Sequence, residues 1–463
     1  MYQYRSLEDT IAAIATPPGQ GGIGIVRLSG AQALAVAGRI FRMKNGKMIA
    51  DVPTHTVHYG RIVHGDKIID EGLITVMRAP TSYTTEDVVE INCHGGMAAV
   101  RAVLESALDA GARLAEPGEF TKRAFIHGRI DLAQAEAVLD IIQAKTQAFL
   151  RAGHVHLQGE LSAALGGIRD ALMEIYTTIE ALINFPEDDI DAKSRTVLAQ
   201  QMKAQEQKVG HLLKSADQGR LLKEGLRIVL CGRTNVGKSS LLNVLLKHDR
   251  AIVSPMPGTT RDPLEEYAQI RGIPFQVIDT AGILEPRDLV EQEAVKRSRR
   301  HMDDADIVLL ILDTAKPLST EDTRLAGQMK GRKVIVVLNK SDLPARISGE
   351  DVQRLLPDGP AVRVSALQKT GIEDLESALI ACAGQADHFD GQGILISNIR
   401  HVQALKSAQE HLNLAVTLTQ QNTSWEFVSE EIKAAVNQLD AVTGRNIDAD
   451  LLDRIFSAFC IGK

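Results

Sequence analysis

The run Gly232-Arg-Thr-Asn-Val-Gly-Lys-Ser239 constrains this chain more than any other feature. It fits GxxxxGK[ST], with the apolar stretch 227–231 before it and Leu241, Leu242, Val244 and Leu245 after it, so strand, loop and helix stand in the order that a phosphate cradle requires. The glycines let successive N–H groups point at phosphate oxygens. Lys238 then neutralises the β/γ-phosphates and the Ser239 hydroxyl ligates Mg²⁺. Asn235, Val236, Gly237 and Ser240 complete the predicted nucleotide contacts. Such a loop belongs to a parallel sheet covered on both faces. The short apolar segments 275–278, 307–312, 334–338 and 361–364, separated by helix-like stretches, supply its other strands.

Further motifs follow those strands in order. Asp279-Thr280-Ala281-Gly282 comes after 275–278, where a carboxylate holds the Mg²⁺ shell and a glycine N–H meets the γ-phosphate. Asn339-Lys340-Ser341-Asp342 follows 334–338. The Asp342 carboxylate accepts the N1–H and amino protons of guanine, donors that adenine lacks, so the base is guanine and the nucleotide GTP. Ser365-Ala366-Leu367 sits where a backbone N–H meets the guanine O6, although an ordinary loop reads the same way. Between the first two motifs lies Pro257-Gly258-Thr259-Thr260-Arg261-Asp262, with Thr260 as second Mg²⁺ ligand and γ-phosphate sensor. The position after Gly282, where Ras-like enzymes orient the attacking water with glutamine, is Ile283, which cannot hydrogen bond. Another group must do that work.

The 463 residues suffice for about two to four domains, and 44% hydrophobic with 24% charged residues excludes a disordered chain. A net charge of −7 argues against binding nucleic acid by bulk charge. Cys93, Cys231, Cys382 and Cys460 show no metal-type spacing, so a reduced, cytoplasmic setting is expected, with neither a signal peptide nor a membrane helix.

Three textures divide the chain. Residues 1–128 mix β-branched stretches (24–28, 88–92) with Gly/Pro punctuation, an α+β pattern. Over 129–223, Leu161, Leu165, Ile168, Leu172, Ile175, Ile179 and Leu182 repeat at fours and threes, the seam of a long helix that Pro186 stops, and Leu198, Met202, Val209 and Leu212 form a second stripe. The α/β block covers 224–385. Helical spacing returns over 386–463 at Val402, Leu405, Ala408, Leu412 and Ala415, then at Ile432, Ala435, Val436 and Leu439. The α/β block thus reads as inserted into one helical domain whose halves cover each other's apolar stripes; two separate helical domains are the alternative.

With GRTNVGKSS, GTTRD, DTAGI, NKSD and a terminal Cys460-Ile-Gly-Lys463 on one chain, together with ATPPGQGGIGIVRLSG, EDVVEINCHGG and GEFTKRAFIHGRIDLAQAEA, the sequence resembles the MnmE (TrmE) family of tRNA modification GTPases from end to end. The resemblance implies an N-terminal α+β folate-binding domain that also dimerises, a discontinuous all-α domain and an inserted α/β Ras-like G domain. It implies a K⁺ ion held by Asn235, backbone oxygens of Ser254 and Met256, and Thr259, with Pro255 in the same nucleotide-binding stretch. That cation supplies the charge that an arginine finger gives elsewhere. Thr234 stands where many members carry proline, which loosens a φ restraint beside the K⁺ ligand. The water-activating carboxylate becomes Glu291, acting through a second water; on the residues alone, Glu285 and Asp288 are rivals.

The resemblance further implies methylenetetrahydrofolate, or 5-formyltetrahydrofolate as its analogue, bound by Arg27, Glu90, Arg129 and Lys463. Arginines pair with glutamyl carboxylates and a glutamate accepts from pterin N–H groups. Cys460 is implied in the modification chemistry. Packing of a tail, or a CaaX-type lipid site with an atypical last residue, are its alternatives. The implied partners are a second copy of the chain, the flavoprotein MnmG, which carries FAD and NADH, and tRNA. The basic run Lys296, Arg297, Arg299, Arg300 and His301 reads as a solvated helix face, with a tRNA or partner contact as the minority reading. An Era-like regulatory GTPase acting on ribosomal RNA shares the nucleotide motifs but leaves Arg27, Glu90, Arg129 and the tail unexplained. A dynamin-like membrane GTPase needs a membrane tip that the sequence does not show.

Overall fold

The computed structural model describes residues 9–184, 192–248, 265–279, 303–329, 331–357, 359–384 and 393–463. The chain forms two compact units. One contains Met1–Leu139, Val155–Gly210 and Gln403–Lys463, the other Asp140–His154 and His211–Val402.

The first unit begins with a seven-stranded sheet of β1 (Ile11–Ile14), β2 (Gly21–Ser29), β3 (Phe41–Met43), β4 (Thr56–His64), β5 (Lys67–Met77), β6 (Val88–Gly95) and β7 (Arg113–Leu114) in the order β3-β4-β5-β6-β2-β1-β7. All pairs are antiparallel except β1 with β7. Alternation along the strands gives the sheet two different faces. Val26, Leu28, Ile62, Ile74, Val76, Val89 and Ile91 are buried with residues of α1 (Ala33–Ile40) and α2 (Met97–Asp109). On the opposite side Ile23, Val57, Tyr59 and Leu73 are exposed.

Helices α3 (Glu119–Ile126) and α4 (Leu132–Gln143) follow, then α5 (Gln147–Leu157) and α6 (Glu160–Asn184). All seven residues of the seam predicted from Leu161 to Leu182 are buried. Later come α7 (Ala192–Leu213) and, beyond the α/β block, α13 (Ile399–Gln420), α14 (Trp425–Thr443) and α15 (Ala449–Ser457). The two helical stretches meet within this unit. Arg169 Nε donates to Asp440 Oδ1 at 2.6 Å, Ser429 Oγ to Glu180 Oε1 at 2.5 Å and Gln409 Nε2 to Glu206 Oε1 at 2.7 Å. The helical domain is discontinuous, its two halves bonded to each other within this unit.

In the second unit β8 (Leu226–Cys231), β9 (Glu265–Ile270), β10 (Ile273–Asp279), β11 (Ile307–Asp313), β12 (Val334–Asn339) and β13 (Ala361–Arg363) form a sheet in the order β13-β12-β11-β8-β10-β9. Only β9, at an edge, runs antiparallel to its neighbour. Helices α8 (Ala216–Glu224), α9 (Lys238–His248), α10 (Thr320–Gln328), α11 (Gly349–Leu355) and α12 (Ile372–Cys382) accompany it. The two faces carry separate apolar cores, one around Ile228, Leu230 and Leu309 and one around Val229, Leu310 and Val336, as expected of a doubly covered parallel sheet. Ala148, Phe149 and Ala152 belong to the first of these cores.

Candidate functional site

β8 delivers the chain into the phosphate loop and α9 begins at Lys238. Gly237 has φ +98°, and a Cβ there would lie 2.2 Å from Asn339 Nδ2, so both backbone shape and crowding require glycine. Asn235 adopts a left-handed φ of +62° with its side chain exposed, beside exposed Thr234; Val236 is buried. Lys238 is buried, and its Nζ donates to the carbonyls of Gly232 (2.8 Å) and Arg233 (2.9 Å), which fixes the ammonium inside the loop. Ser239 and Ser240 are exposed on the first turn of α9.

The segment 339–342 is tied to this loop. Asn339, 1% exposed at the end of β12, donates through Nδ2 to the Val236 carbonyl at 2.8 Å and accepts through Oδ1 from the Ala366 amide at 3.1 Å. Lys340, at φ +63°, reaches back with Nζ to the Asn235 carbonyl (2.9 Å) and to Asp313 Oδ2 (2.8 Å). Burial acts to raise the Asp313 pKa, but the Lys340 ammonium and the Ala315 amide outweigh it and hold the carboxyl below its usual range. Ser365 Oγ donates to Asp342 Oδ1 at 2.5 Å and accepts from the Gln368 amide at 3.1 Å. Asp342 is exposed, and Leu367 is 84% exposed. Asp279 ends β10, its backbone in register with Leu230 of β8. The sequence reading missed Asp313, whose only signal is a carboxylate closing an otherwise apolar strand.

The remaining predicted nucleotide, K⁺ and water-activating positions, Ser254, Pro255, Met256, Pro257, Gly258, Thr259, Thr260, Thr280, Ala281, Gly282 and Glu291, lie outside the described residues. So do Ile283 and the basic run 296–301.

A second cluster forms in the other unit. Arg27 on β2 and Glu90 on β6 are direct cross-strand partners. Arg27 Nε donates to Glu90 Oε1 at 2.8 Å, its Nη2 stands at the same distance, and Nη1 donates to the Gly462 carbonyl at 3.1 Å. The Arg27 guanidinium lies 5.6 Å from the centre of the buried Phe120 ring and 5.9 Å from that of Tyr83. Arg129 lies 5.0 Å from the same Tyr83 ring and donates to the Tyr83 carbonyl at 2.9 Å. The tail is seated closely: the Cys460 carbonyl accepts from the amides of Gly118 and Lys463, while the Cys460 side chain stays exposed. Burial first, and then the nearby Arg27 charge, push the Lys463 ammonium pKa down against the opposing pull of Glu90. Residues Arg27, Glu90, Arg129, Cys460 and Lys463, scattered over the sequence, are therefore neighbours here. Neither Tyr83 nor Phe120 was singled out from the sequence.

An ionic network around the buried Arg123 fixes the loop that carries Tyr83. Arg123, with no exposed side-chain surface, donates to Asp9 Oδ1 (2.6 Å), Glu119 Oε1 (3.0 Å) and Glu86 Oε1 (3.1 Å). Arg113 joins it through Asp9 and Glu119, both at 2.6 Å. Glu86 also accepts from Ser29 Oγ at 2.6 Å, and the Tyr83 hydroxyl is 2.9 Å from Thr121 Oγ1.

Comparison with known proteins agrees along the whole chain. The family model for the MnmE helical domain matches residues 132–460, and that for the GTP-binding protein TrmE N-terminus matches 10–129. A "tRNA modification GTPase MnmE" from Alkaliphilus metalliredigens is 43% identical over 459 residues, 99% of this chain and 100% of its own. The protein of that name from Bacillus subtilis is 43% identical over 458 residues, 98% and 100% of the two chains. Among solved structures, the G domain of the T. maritima FeoB iron transporter aligns at 28% identity and TM-score 0.28, over 34% of this chain and 98% of that one. Two domain-level matches and full-length identity lead to one assignment: the chain belongs to the MnmE family of tRNA modification GTPases.

Proposed function

We propose that this chain hydrolyses GTP with K⁺ activation and that, with an MnmG-type flavoprotein, it adds a carboxymethylaminomethyl or aminomethyl group to C5 of the wobble uridine of certain tRNAs. The observation that carries the reading is Arg27, which bonds both Glu90 and the Gly462 carbonyl. This cluster beside the Cys460 tail offers the donors and acceptors that a pterin needs, in a chain that also holds a guanine-type nucleotide loop.

For GTP, Lys238 faces the β/γ-phosphates and Asp342 accepts from the guanine N–H groups. Ser239, exposed at the start of α9, fits a Mg²⁺ ligand together with Thr260. Asn235, exposed at its left-handed bend, fits a K⁺ ligand with Ser254, Met256 and Thr259. The monovalent ion supplies positive charge next to the phosphates when bound. Glu291 orients the attacking water through a second water and draws its proton, as water oxygen bonds to the γ-phosphorus and GDP departs. Opening and closing of paired G domains would carry this cycle to the helices.

In the N-terminal domain Glu90 accepts from the pterin, Arg129 adds positive charge for the folate's carboxylates, and Lys463 completes the binding set beside Arg27 and Glu90. Methylenetetrahydrofolate would donate the methylene carbon and ammonium or glycine the nitrogen, with Cys460 in the modification chemistry. A homodimer suits the exposed Ile23, Val57, Tyr59 and Leu73 on the open sheet face. No described helix is long and apolar enough to cross a membrane. A cytoplasmic setting, alongside tRNA, belongs to this proposal. An Era-like switch without modification chemistry gains no support from these residues.

Mass spectrometry of tRNA nucleosides from cells lacking this chain tests the proposal. The C5-modified wobble uridines should disappear, and unchanged levels would refute it.

A further inference from the structure

Two arginines share the ring of Tyr83, and they differ in company. Arg27 is matched by the Glu90 carboxylate at 2.8 Å. Arg129 makes no ion pair among the described residues; its Nη1 donates to the Tyr83 carbonyl at 2.9 Å and its guanidinium lies 5.0 Å from the ring centre. Tyr83 therefore grips Arg129 twice, once through its backbone and once through its π-face. The grip is rigid because Tyr83 is itself held, through its hydroxyl to Thr121 and through a loop that His127 bonds at Thr84 (2.7 Å) and Arg123 at Glu86.

Charge divides the cluster. A cation already paired with Glu90 has little to offer a ligand anion, and together the pair presents carboxylate oxygen to N–H donors. An exposed, uncompensated guanidinium held in one orientation is suited to a carboxylate, because less rotamer freedom remains to be lost when the anion arrives. We propose that Tyr83 is a positioning residue that holds Arg129 for the carboxylate-bearing end of the one-carbon carrier, while Arg27 stays with Glu90 at the pterin end. The assignment rests on the folate reading above and divides its residues between the two ends of the ligand.

Equilibrium dialysis of the full-length protein against three probes tests it: tetrahydrofolate, p-aminobenzoylglutamate, and 6-methyltetrahydropterin, which has no carboxylate. Tyr83→Leu should weaken the first two by about fivefold, the upper loss expected for an exposed cation–π contact, and leave the third within about twofold. Tyr83→Phe keeps the ring but not the hydroxyl bond to Thr121, so it should bind the first two probes more tightly than Tyr83→Leu and less tightly than wild type. Arg129→Ala should lose at least as much, and the double variant should add little to that loss, since Tyr83 acts only through Arg129. Unchanged binding by Tyr83→Leu, additive losses in the double variant, or an equal loss for all three probes would each overturn the positioning role. Wild-type protein that retains no tetrahydrofolate would overturn the folate reading itself, and the assignment with it.

Discussion

Asn339 and Val236 join the NKSD segment to the glycine-rich loop: the buried Asn339 amide donates to the Val236 carbonyl at 2.8 Å while accepting from Ala366 on its other side. One side chain thus holds three loops at fixed spacing. Asn339→Ala would leave a buried carbonyl and a buried amide unpaired, at a cost of about 2 kcal/mol. The expected result is a lower melting temperature together with weaker GTP binding. A variant that melts and binds as wild type would show that the three loops are held by other means.

In the proposed GTP site Asp342 decides the base. Asp342→Asn replaces an acceptor with a donor, which opposes the guanine N–H groups but suits the second carbonyl of xanthine. GTP affinity should fall by about a hundredfold or more, since charged hydrogen bonds are lost and donors face donors. Xanthosine triphosphate should bind better than GTP, as competition binding would reveal.

The parts of this molecule that were legible in the sequence are those in which a residue's neighbours dictate its environment. Strands β8, β10, β11, β12 and β13 fall within about two residues of the predicted segments because strands buried on both faces are plain apolar runs. β9 was not predicted: EEYAQI, charged and alternating, is an edge strand without such a run. The segment that carries Phe149 looked like one more helical stretch, yet Phe149 packs in the core of the α/β unit, a contact between residues distant in sequence. Distance in sequence also hid the second cluster. Arg27 and the Gly462 carbonyl are 435 residues apart, and only the family resemblance suggested a common site. Tyr83 and Arg123 gave no signal at all, since their roles exist only once the loop before β6 folds against α3.

The Arg123 network should make the N-terminal domain sensitive to acid. Burial raises the pKa of Asp9 and Glu119, but hydrogen bonds and charge from Arg113 and Arg123 outweigh it, so both carboxyls titrate below their ordinary values of 3.8 and 4.5. A folded-state pKa below the unfolded one contributes stability that is complete above the ordinary range and is lost as pH falls through the folded values. Unfolding monitored at stepwise lower pH should show the wild type losing stability below about pH 4.5. Glu119→Gln should flatten that dependence; an unchanged acid limb would remove the network from the explanation.

Gly462 permits the tail to reach Arg27. Its φ is +95°, and a Cβ would stand 2.3 Å from the Ile14 carbonyl, so Gly462→Ala combines backbone strain with a collision against main chain. The tail should leave its seat, folate retention should fall, and modified-nucleoside yield should drop while GTP turnover persists. Cys460→Ser, which keeps the tail seated, should lose the tRNA product without losing folate. Full product yield from the serine variant would remove the thiol from the chemistry.

Asn235 offers the test of monovalent-ion dependence that starts from a described residue. Its exposed side chain stands at the left-handed bend of the phosphate loop, and its backbone carbonyl is already taken by Lys340 at 2.9 Å, so the loop shape does not depend on a bound ion to satisfy that oxygen. Removing K⁺ should therefore leave the cradle able to bind GTP while withdrawing charge needed in the transition state. Exchange of K⁺ for Na⁺ should depress turnover strongly with little change in nucleotide affinity, and Asn235→Ala should lose the difference between the two salts. Equal turnover in K⁺ and Na⁺ by the wild type would exclude a potassium-dependent step at this loop.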